Sequence, residues 1–517
     1  MANNNTLQNP EASVEKQDSY FSIEHLQADL GGRAARGGAV ALVSNGLRFI
    51  VTIAATSVMA RLLSPEDYGL IGMVAIFINF VSMFRDMGLS VATIQKDKIN
   101  YDQVSTLFWF NFALSVAVMI FISAMAPAVS WFYGEPRLIR ITIASALSIV
   151  LGGLAVQHEA LLRRQMKFLA LAVIAFLSMV AGYVVGIIMA WRGFGYWALV
   201  SSQLGLALTN TLGVWLACRW RPGLPKRNSG VRSMVAFGRD FTGFSVINYF
   251  SRNLDNLLIG RVWGARQLGL YNRAYQLMTL PIDQINEPIA SVAIPALSRL
   301  TDSPERYRQG YLRMLEKIAL LTMPGVALMI ATADWIVHLL LGSQWAGTTP
   351  IFILLGITAL FQPIANTTGW LFLSQGRGRQ MLKWGFISGP LVMGSIVAGL
   401  PWGALGVAAS YTITGILIVD PLLFWFVGRT GPVRTMDFYR TMAPFVCASL
   451  ISLLACVSFR QLELTSKPVI GVGICLIITI VTSLLVLAVL PGGRRALQDI
   501  PRLVLVLSRK NEGDMVI

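Results

Sequence analysis

Apolar runs of about twenty residues follow one another from residue 37 to residue 490, separated by short polar gaps. The pattern predicts spans at 37–60, 68–92, 104–127, 138–157, 168–191, 194–218, 239–262, 268–296, 313–333, 349–375, 383–400, 403–427, 440–459 and 468–490. Three stretches, Phe168 to Trp191, Thr441 to Phe459 and Val469 to Leu490, carry no charged residue. As a helix, a run of about 20 residues crosses roughly 30 Å of hydrocarbon. Helices are required because lipid offers no partner to an exposed backbone N–H or C=O. The expected fold class is an all-α membrane protein of about 14 transmembrane helices.

Composition agrees with the pattern. Hydrophobic residues make up 55% and charged residues 13% of the chain, where soluble domains carry about 25% charged residues. The net charge of +16 could point to nucleic acid. The basic residues lie in the gaps between apolar runs rather than in one patch, which fits orientation in a membrane and gives no nucleic-acid partner. Placing the N-terminus in the cytoplasm, and counting charges near span ends with the adjoining loops, puts 30 Lys and Arg on that side and nine on the other and leaves three within spans. Both termini are therefore expected to be cytoplasmic. Residues 1–36 are polar, hold no apolar signal core, and read as a cytoplasmic tail with a short surface helix around Ile23 to Leu30. Cys218, Cys447, Cys456 and Cys475 lie in or beside apolar runs without metal-ligand spacing.

The chain also repeats itself. Residues 60–70 read ARLLSPEDYGL and residues 260–270 read GRVWGARQLGL, so Arg61 aligns with Arg261 and Gly69-Leu70 with Gly269-Leu270. Each segment sits between the first two spans of a six-span set. The expected organisation is a tail at 1–36, a first lobe at 37–218, a basic cytoplasmic linker at 219–238, a second lobe at 239–428, two further spans at 429–490 and a cytoplasmic tail at 491–517. Same-orientation repeats are related by an axis along the membrane normal.

Polar residues inside spans are costly, roughly 2.5–3.5 kcal/mol for one Arg or Asp at a helix centre, and they mark water-filled paths or internal partners. They fall in stripes here. Asn45, Arg48, Thr52 and Thr56 recur at helical spacing, as do Ser245, Asn248, Arg252, Asp255 and Asn256. Asn79, Ser82 and Asp86 share a face, with Arg85 beside Asp86; Gln276, Asp283, Asn286 and Glu287 share another, and Gln362 and Asn366 follow. These stripes could line a hydrophilic cavity, or the charges could pair and lock helices together. Pro281, Pro288 and Pro295 suggest a bent helix. His158 and Glu159 read as interfacial, Asp334 and His338 lie near Trp335 on the outer side, and Asp420 precedes Pro421. No Walker loop, H-E-x-x-H, G-x-S-x-G or metal cluster occurs. The chain is not expected to be an enzyme or to hold a cofactor.

The segment MARLLSPEDYGLIGMV at 59–74 resembles the loop after the first span of polysaccharide-transport (Wzx-type) flippases. These belong to the multidrug/oligosaccharidyl-lipid/polysaccharide exporter superfamily. RNLDNLLIGRVWGARQLGLYNRAYQL at 252–277 and FLSQGRGRQMLKWG at 372–385 resemble the corresponding later regions. The resemblance covers about residues 37–490. It implies two six-helix lobes in a V around a central cavity, plus two C-terminal helices, in a bacterial inner membrane. It implies that an undecaprenyl-diphosphate-linked oligosaccharide is turned from the cytoplasmic to the periplasmic leaflet by alternating access, for exopolysaccharide or lipopolysaccharide. Partners would be that polyprenyl-diphosphate-linked sugar, membrane lipid, and polysaccharide polymerase and chain-length machinery. The family's cavity often carries Arg on the first helix of each lobe. Arg48 and Arg252 match by helix and face, with Asn45, Asn79, Asn248, Asp255, Asp283, Asn286 and Glu287 along the sugar path. Relatives couple to Na⁺ or H⁺, and that coupling stays open here. The rivals are a cation-coupled multidrug antiporter of the same superfamily, a membrane enzyme of polysaccharide assembly, and a scaffold.

Overall fold

The computed structural model describes residues 30–86, 93, 99–225, 232–463 and 467–498, with the side chains of 30–43, 83–86, 232–248, 250–252 and 287 outside the description. The expected surface helix before Leu30 and the C-terminal tail beyond residue 498 lie outside these residues. All regular structure among the described residues is helical. The chain divides into two compact units on either side of the Gly269–Leu270 bond.

The first unit holds α1 (Leu30–Leu62), α2 (Pro65–Asp86), α3 (Tyr101–Tyr133), α4 (Arg137–Arg164), α5 (Phe168–Trp191) and α6 (Tyr196–Ala217). α3 packs along α4 and α5 along α6; α1 lies on α5, and α2 on α3 and α4. Local sequence sets the ends. Asn100 and Gln103 form a reciprocal capping box at the start of α3, which satisfies two otherwise orphaned backbone donors. The core of this end joins Val104, Phe108, Leu161, Leu162, Val214 and Trp220.

A long helix, α7 (Arg232–Ser298), runs from the first unit into the second. Gly264, with φ 78° and ψ −178°, is its one interior residue with non-helical backbone angles. That region is open essentially to glycine alone. Pro281, Pro288 and Pro295 sit inside the second arm, where the backbone angles stay helical.

The second unit continues with α8 (Pro304–Ala331), α9 (Ala333–Leu340), α10 (Thr348–Ala359), α11 (Gln362–Ser374), α12 (Gly378–Gly399), α13 (Gly403–Thr414), a π-turn (Gly415–Val419), α14 (Asp420–Gly428), α15 (Thr435–Gln461) and α16 (Pro468–Val489). α8, α15 and α16 pack together, while α12 folds back along α13, which also packs on α10. Tyr307, Tyr311, Phe424, Phe438 and Phe445 fill the core.

The last helix, α16, is inverted relative to a helix of a soluble protein. On α16 the buried positions are Gly471, Cys475, Thr479, Ser483 and Leu487. Ile477, Val481 and Leu485 face outward, with Leu485 63% exposed. Lipid tails are as apolar as leucine, so helices associate through small residues and hydroxyl bonds rather than through a hydrophobic drive. Accordingly, Ser452 Oγ lies 2.7 Å from Thr482 Oγ1 and 2.9 Å from Ser483 Oγ, joining α15 to α16. Seven helices among the described residues are long and apolar enough to cross a membrane, and two bent pairs bring that to nine. One of the seven, Gly378–Gly428, is 51 residues long and turns back on itself between α12 and α13. The protein is a multi-pass membrane protein.

Candidate functional site

The turn between α1 and α2 follows directly from its sequence. Ser64 precedes Pro65, Glu66 and Asp67. Asp67 N–H donates to Ser64 Oγ at 3.2 Å, and Ser64 N–H donates back to Asp67 Oδ2 at 2.9 Å. This is a capping box with proline at the first helical position, where the missing N–H has no cost. The chain bends by 117° there. Arg137 at the start of α4 reaches Glu66 at 2.5 Å and Glu135 at 2.8 Å. Hydrogen bonding to Arg137 holds the Glu135 carboxyl below its usual range.

The repeat-related turn lies 200 residues on. A Cβ on Gly69 would overlap the carbonyl of Ala265, and a Cβ on Gly269 would overlap the carbonyl of Pro65. Residues 65 and 265 are repeat equivalents, as are 69 and 269. The contact is thus reciprocal, as a local two-fold arrangement requires. The two motifs cross backbone to backbone, which explains why both carry glycine at this register. Arg261 lies over the Phe132 ring at 5.8 Å, and Tyr249 donates to the carbonyl of Ile76 at 2.7 Å. These contacts fix the first arm of α7 on α2 and α3.

On this frame sit the polar stripes. Asn45 and Arg48 on α1 are exposed, and Thr52 and Thr56 are half-buried. Arg48 makes no hydrogen bond or ion pair to any described residue. Leu47 and Ile50 are also exposed, so this turn of α1 is open all round. Asn79 on α2 is exposed, and Ser82 is half-buried; the side chains of Arg85 and Asp86 are outside the description. On α7, Asp255 is half-buried and accepts from the backbone N–H of Asn256 at 2.7 Å. The backbone is helical at Asn248 and Arg252, whose side chains lie outside the description, as does that of Glu287. In the second unit, Asp283 is exposed. Both polar atoms of the Asn286 amide are buried without a partner among the described residues. Asn45, Arg48, Asn79 and Asp255 therefore belong to the first unit, and Asp283 and Asn286 to the second.

Other charges are committed to structure. Arg308 forks onto Asp437 at 2.8 and 2.6 Å. Arg460 pairs with Asp334 at 2.6 Å and lies over Trp335 at 4.4 Å from the ring centre, which makes Asp334 half of a clamp between α9 and α15. His158 is fully buried. It stacks on Trp215 at 4.4 Å and meets Trp220 at 5.1 Å and Phe108 at 5.9 Å. Its sequence position beside a basic loop suggested an interface and gave no sign of this aromatic box. The beginning of the basic linker is pinned beside it: Arg221 donates to the carbonyls of Trp215, Cys218 and Trp220, and Trp109 Nε1 donates to Gly223 at 2.7 Å.

Against this geometry, comparison with known proteins is specific. Residues 58–350 match the family described as "Polysaccharide biosynthesis protein". The match begins just before the Ser64 turn and includes the Gly69–Gly269 crossing. The chain belongs to this family. It is 27% identical to the teichuronic acid biosynthesis protein TuaB of Bacillus subtilis, over 73% of this chain and 78% of that protein. It is 25% identical to the lipopolysaccharide biosynthesis protein WzxC of Escherichia coli, over 72% of this chain and 76% of that protein. Among solved structures it shares its fold with the lipid II flippase MurJ in an inward closed conformation. The TM-score is 0.68 at 16% identity, covering 88% of this chain and 98% of that one.

Proposed function

We propose that this protein is a flippase for lipid-linked oligosaccharides. It would carry undecaprenyl-diphosphate-linked repeat units from the cytoplasmic to the periplasmic leaflet by alternating access, supplying exopolysaccharide or lipopolysaccharide synthesis. The observation that carries the reading is Arg48, an exposed guanidinium on an apolar helix with no partner among the described residues. An uncompensated charge at a membrane helix is retained where it meets water or an anionic ligand. A planar guanidinium suits phosphate because its fork binds two oxygens at once.

In this reading Arg48 and Arg252 engage the diphosphate or acidic sugars. Asn45, Asn79, Asn248, Asp255, Asp283, Asn286 and Glu287 are proposed to hydrogen-bond the sugar at successive stages of its path. The polyprenyl tail stays in lipid. Fourteen crossings follow if α1 to α6, both arms of α7, α8, the α10–α11 pair, α12, the α13–α14 stretch, α15 and α16 each traverse once. The termini and the 219–238 linker are then cytoplasmic, and the membrane is the bacterial inner one. Polymerase and chain-length proteins would receive the product. The names of TuaB and WzxC, both biosynthesis proteins of surface polysaccharides, support this reading over a drug antiporter.

The test is a strain lacking the gene. Finished lipid-linked repeat units should accumulate on the cytoplasmic leaflet while surface polymer is lost. Arg48→Ala should lower export about tenfold or more at unchanged protein abundance, the loss expected from removing a charge-assisted hydrogen bond of roughly 1.5–3 kcal/mol. Unchanged lipid-linked pools in the deletion strain, with altered drug susceptibility, would move the protein to the antiporter class.

A further inference from the structure

A cavity of about 270 Å³ lies wholly within the second unit, among α10 to α14. We infer that it is a subsite for one uncharged sugar ring of the transported oligosaccharide, with Asn366, Gln362 and Asp420 taking the hydroxyls and Trp384 taking the ring face. The inference rests on the flippase reading and adds a site to it.

The argument starts from unspent hydrogen bonds. Several hydroxyls on the cavity wall are already engaged: Thr358 donates to Thr412 at 2.8 Å, Thr368 to the carbonyl of Ala365 at 2.7 Å, and Ser395 to the carbonyl of Val392 at 2.7 Å. The side chains of Gln362, Asn366 and Asp420 make no hydrogen bond to any described residue. Gln362 and Asp420 are half-buried and Asn366 is exposed, so their polar atoms are left for water or a ligand to meet. All three residues open onto one cavity.

Size and charge narrow the ligand. Pockets for drug-sized molecules start at about 300 Å³, so this one holds a single ring rather than a chain. A bare cation gripped by six to eight oxygens at about 2.3–2.6 Å would leave most of the space empty. Asp420 is the one charged residue on the wall, and no Lys, Arg or His lines it. The diphosphate and acidic sugars are therefore disfavoured, and a neutral pyranose is favoured. The Gln362 and Asn366 amides can both donate to and accept from adjacent ring hydroxyls, and the Asp420 carboxylate can accept from two of them. Trp384 supplies an apolar platform for the C–H face of the ring, backed by Phe426 with ring centres 5.7 Å apart.

The backbone makes the room. Pro421 has no N–H to donate to the preceding turn. The helix widens there into the π-turn Gly415–Val419, and Asp420 N–H donates to the carbonyl of Gly415, five residues back. Gly415 and Val419 form part of the wall. Single π-turns inside helices recur at functional sites.

The test uses the purified full-length protein in detergent and saturation-transfer NMR. The probes are methyl glycosides of glucose, galactose and rhamnose, with methyl glucuronide as the acidic comparison. At least one neutral glycoside should show transfer that falls fivefold or more in Asn366→Ala and in Asp420→Asn, with the glucuronide weaker. Asn366 is exposed, so its variant should fold even if Asp420→Asn does not. Absence of transfer from every neutral glycoside overturns the inference, as does transfer unchanged in Asn366→Ala. Sodium binding lost in Asp420→Asn, without glycoside transfer, also overturns it and makes the cavity a cation site. A vesicle assay of lipid-linked sugar movement separates the two readings. Movement without glycoside binding removes the subsite alone; side-chain-dependent glycoside binding without movement keeps the subsite and removes the flippase.

Discussion

The turns at 60–70 and 260–270 occupy the same register of a repeat and meet each other, yet they are built differently. The first stops α1 and starts α2 through side chains: Ser64 caps, Pro65 initiates, and Asp67 closes the box. The second has Gly264 where the first has Ser64, and the break is made by a positive backbone φ of 78°. Glu66, tied to Arg137, faces Arg266 across the alignment, so the charge is reversed as well. What the copies keep is the glycine four residues after each contacting carbonyl: Gly69 after Pro65 and Gly269 after Ala265. Close backbone approach is therefore the shared requirement, and the means of bending the chain is free to drift.

The strongest way to break this comparison is at the crossing. Gly69→Ala and Gly269→Ala each place a Cβ onto a facing carbonyl, where only backbone movement can relieve it. Overpacking of this kind costs about 1–3 kcal/mol and occasionally more. Both variants should lower the melting temperature in detergent by several degrees and impair transport together. A single alanine tolerated at either glycine, with native melting and export, would show that the crossing is not a fixed contact.

The next test contrasts the two turn chemistries. Gly264→Ala forces a side chain into a strained region at roughly 1–3 kcal/mol, although the space around its Cβ is open. Ser64→Ala removes a cap at roughly 1 kcal/mol. Thermal melting should rank Gly264→Ala below Ser64→Ala. The reverse order would mean that the side-chain cap, not the backbone, carries the harder turn.

Much of this was legible in the sequence, and what was not has a physical reason. The all-helical membrane class follows from run length alone, because no other spanning structure suits such runs. The register of 200 residues gave the paired turns, since close backbone approach leaves glycine as its trace. Polar stripes on α1, α2 and α7 were visible as periodicity, but periodicity cannot distinguish an open charge from a paired one. Arg48 is unpartnered among the described residues, while Asp334 is held by Arg460, 126 residues away. The aromatic box around His158 draws Phe108 from α3 and Trp215 and Trp220 from the end of α6 and the residues after it, so no local pattern at His158 announces it. Prolines at 281, 288 and 295 suggested a bent helix, whereas the one departure from helical backbone angles in α7, at Gly264, left no comparable sign in the sequence. Surrounding bonds carry the helix past each missing N–H, whereas a positive φ ends the helical path outright.

The smallest effect concerns the clamp that only the first turn possesses. Arg137 holds both Glu66 and Glu135, and its hydrogen bond lowers the Glu135 carboxyl below the ordinary range of about 4.3. A carboxyl whose folded value is depressed adds stability above its unfolded value and loses it as pH falls through the folded one. Arg137 stays charged throughout. The ion pair is substantially exposed, with Arg137 42% accessible, so solvent screening keeps its worth to a few tenths of a kcal/mol. Glu135→Gln should therefore melt slightly below the native protein at pH 7. The gap should close as pH falls through the acid range below about 4, where the native carboxyl is itself protonated. The second turn, with Arg266 in the register of Glu66, should show no counterpart to this acid-dependent increment. A gap that persists at low pH would mean that Glu135 acts through its shape at the start of α4 rather than through its charge.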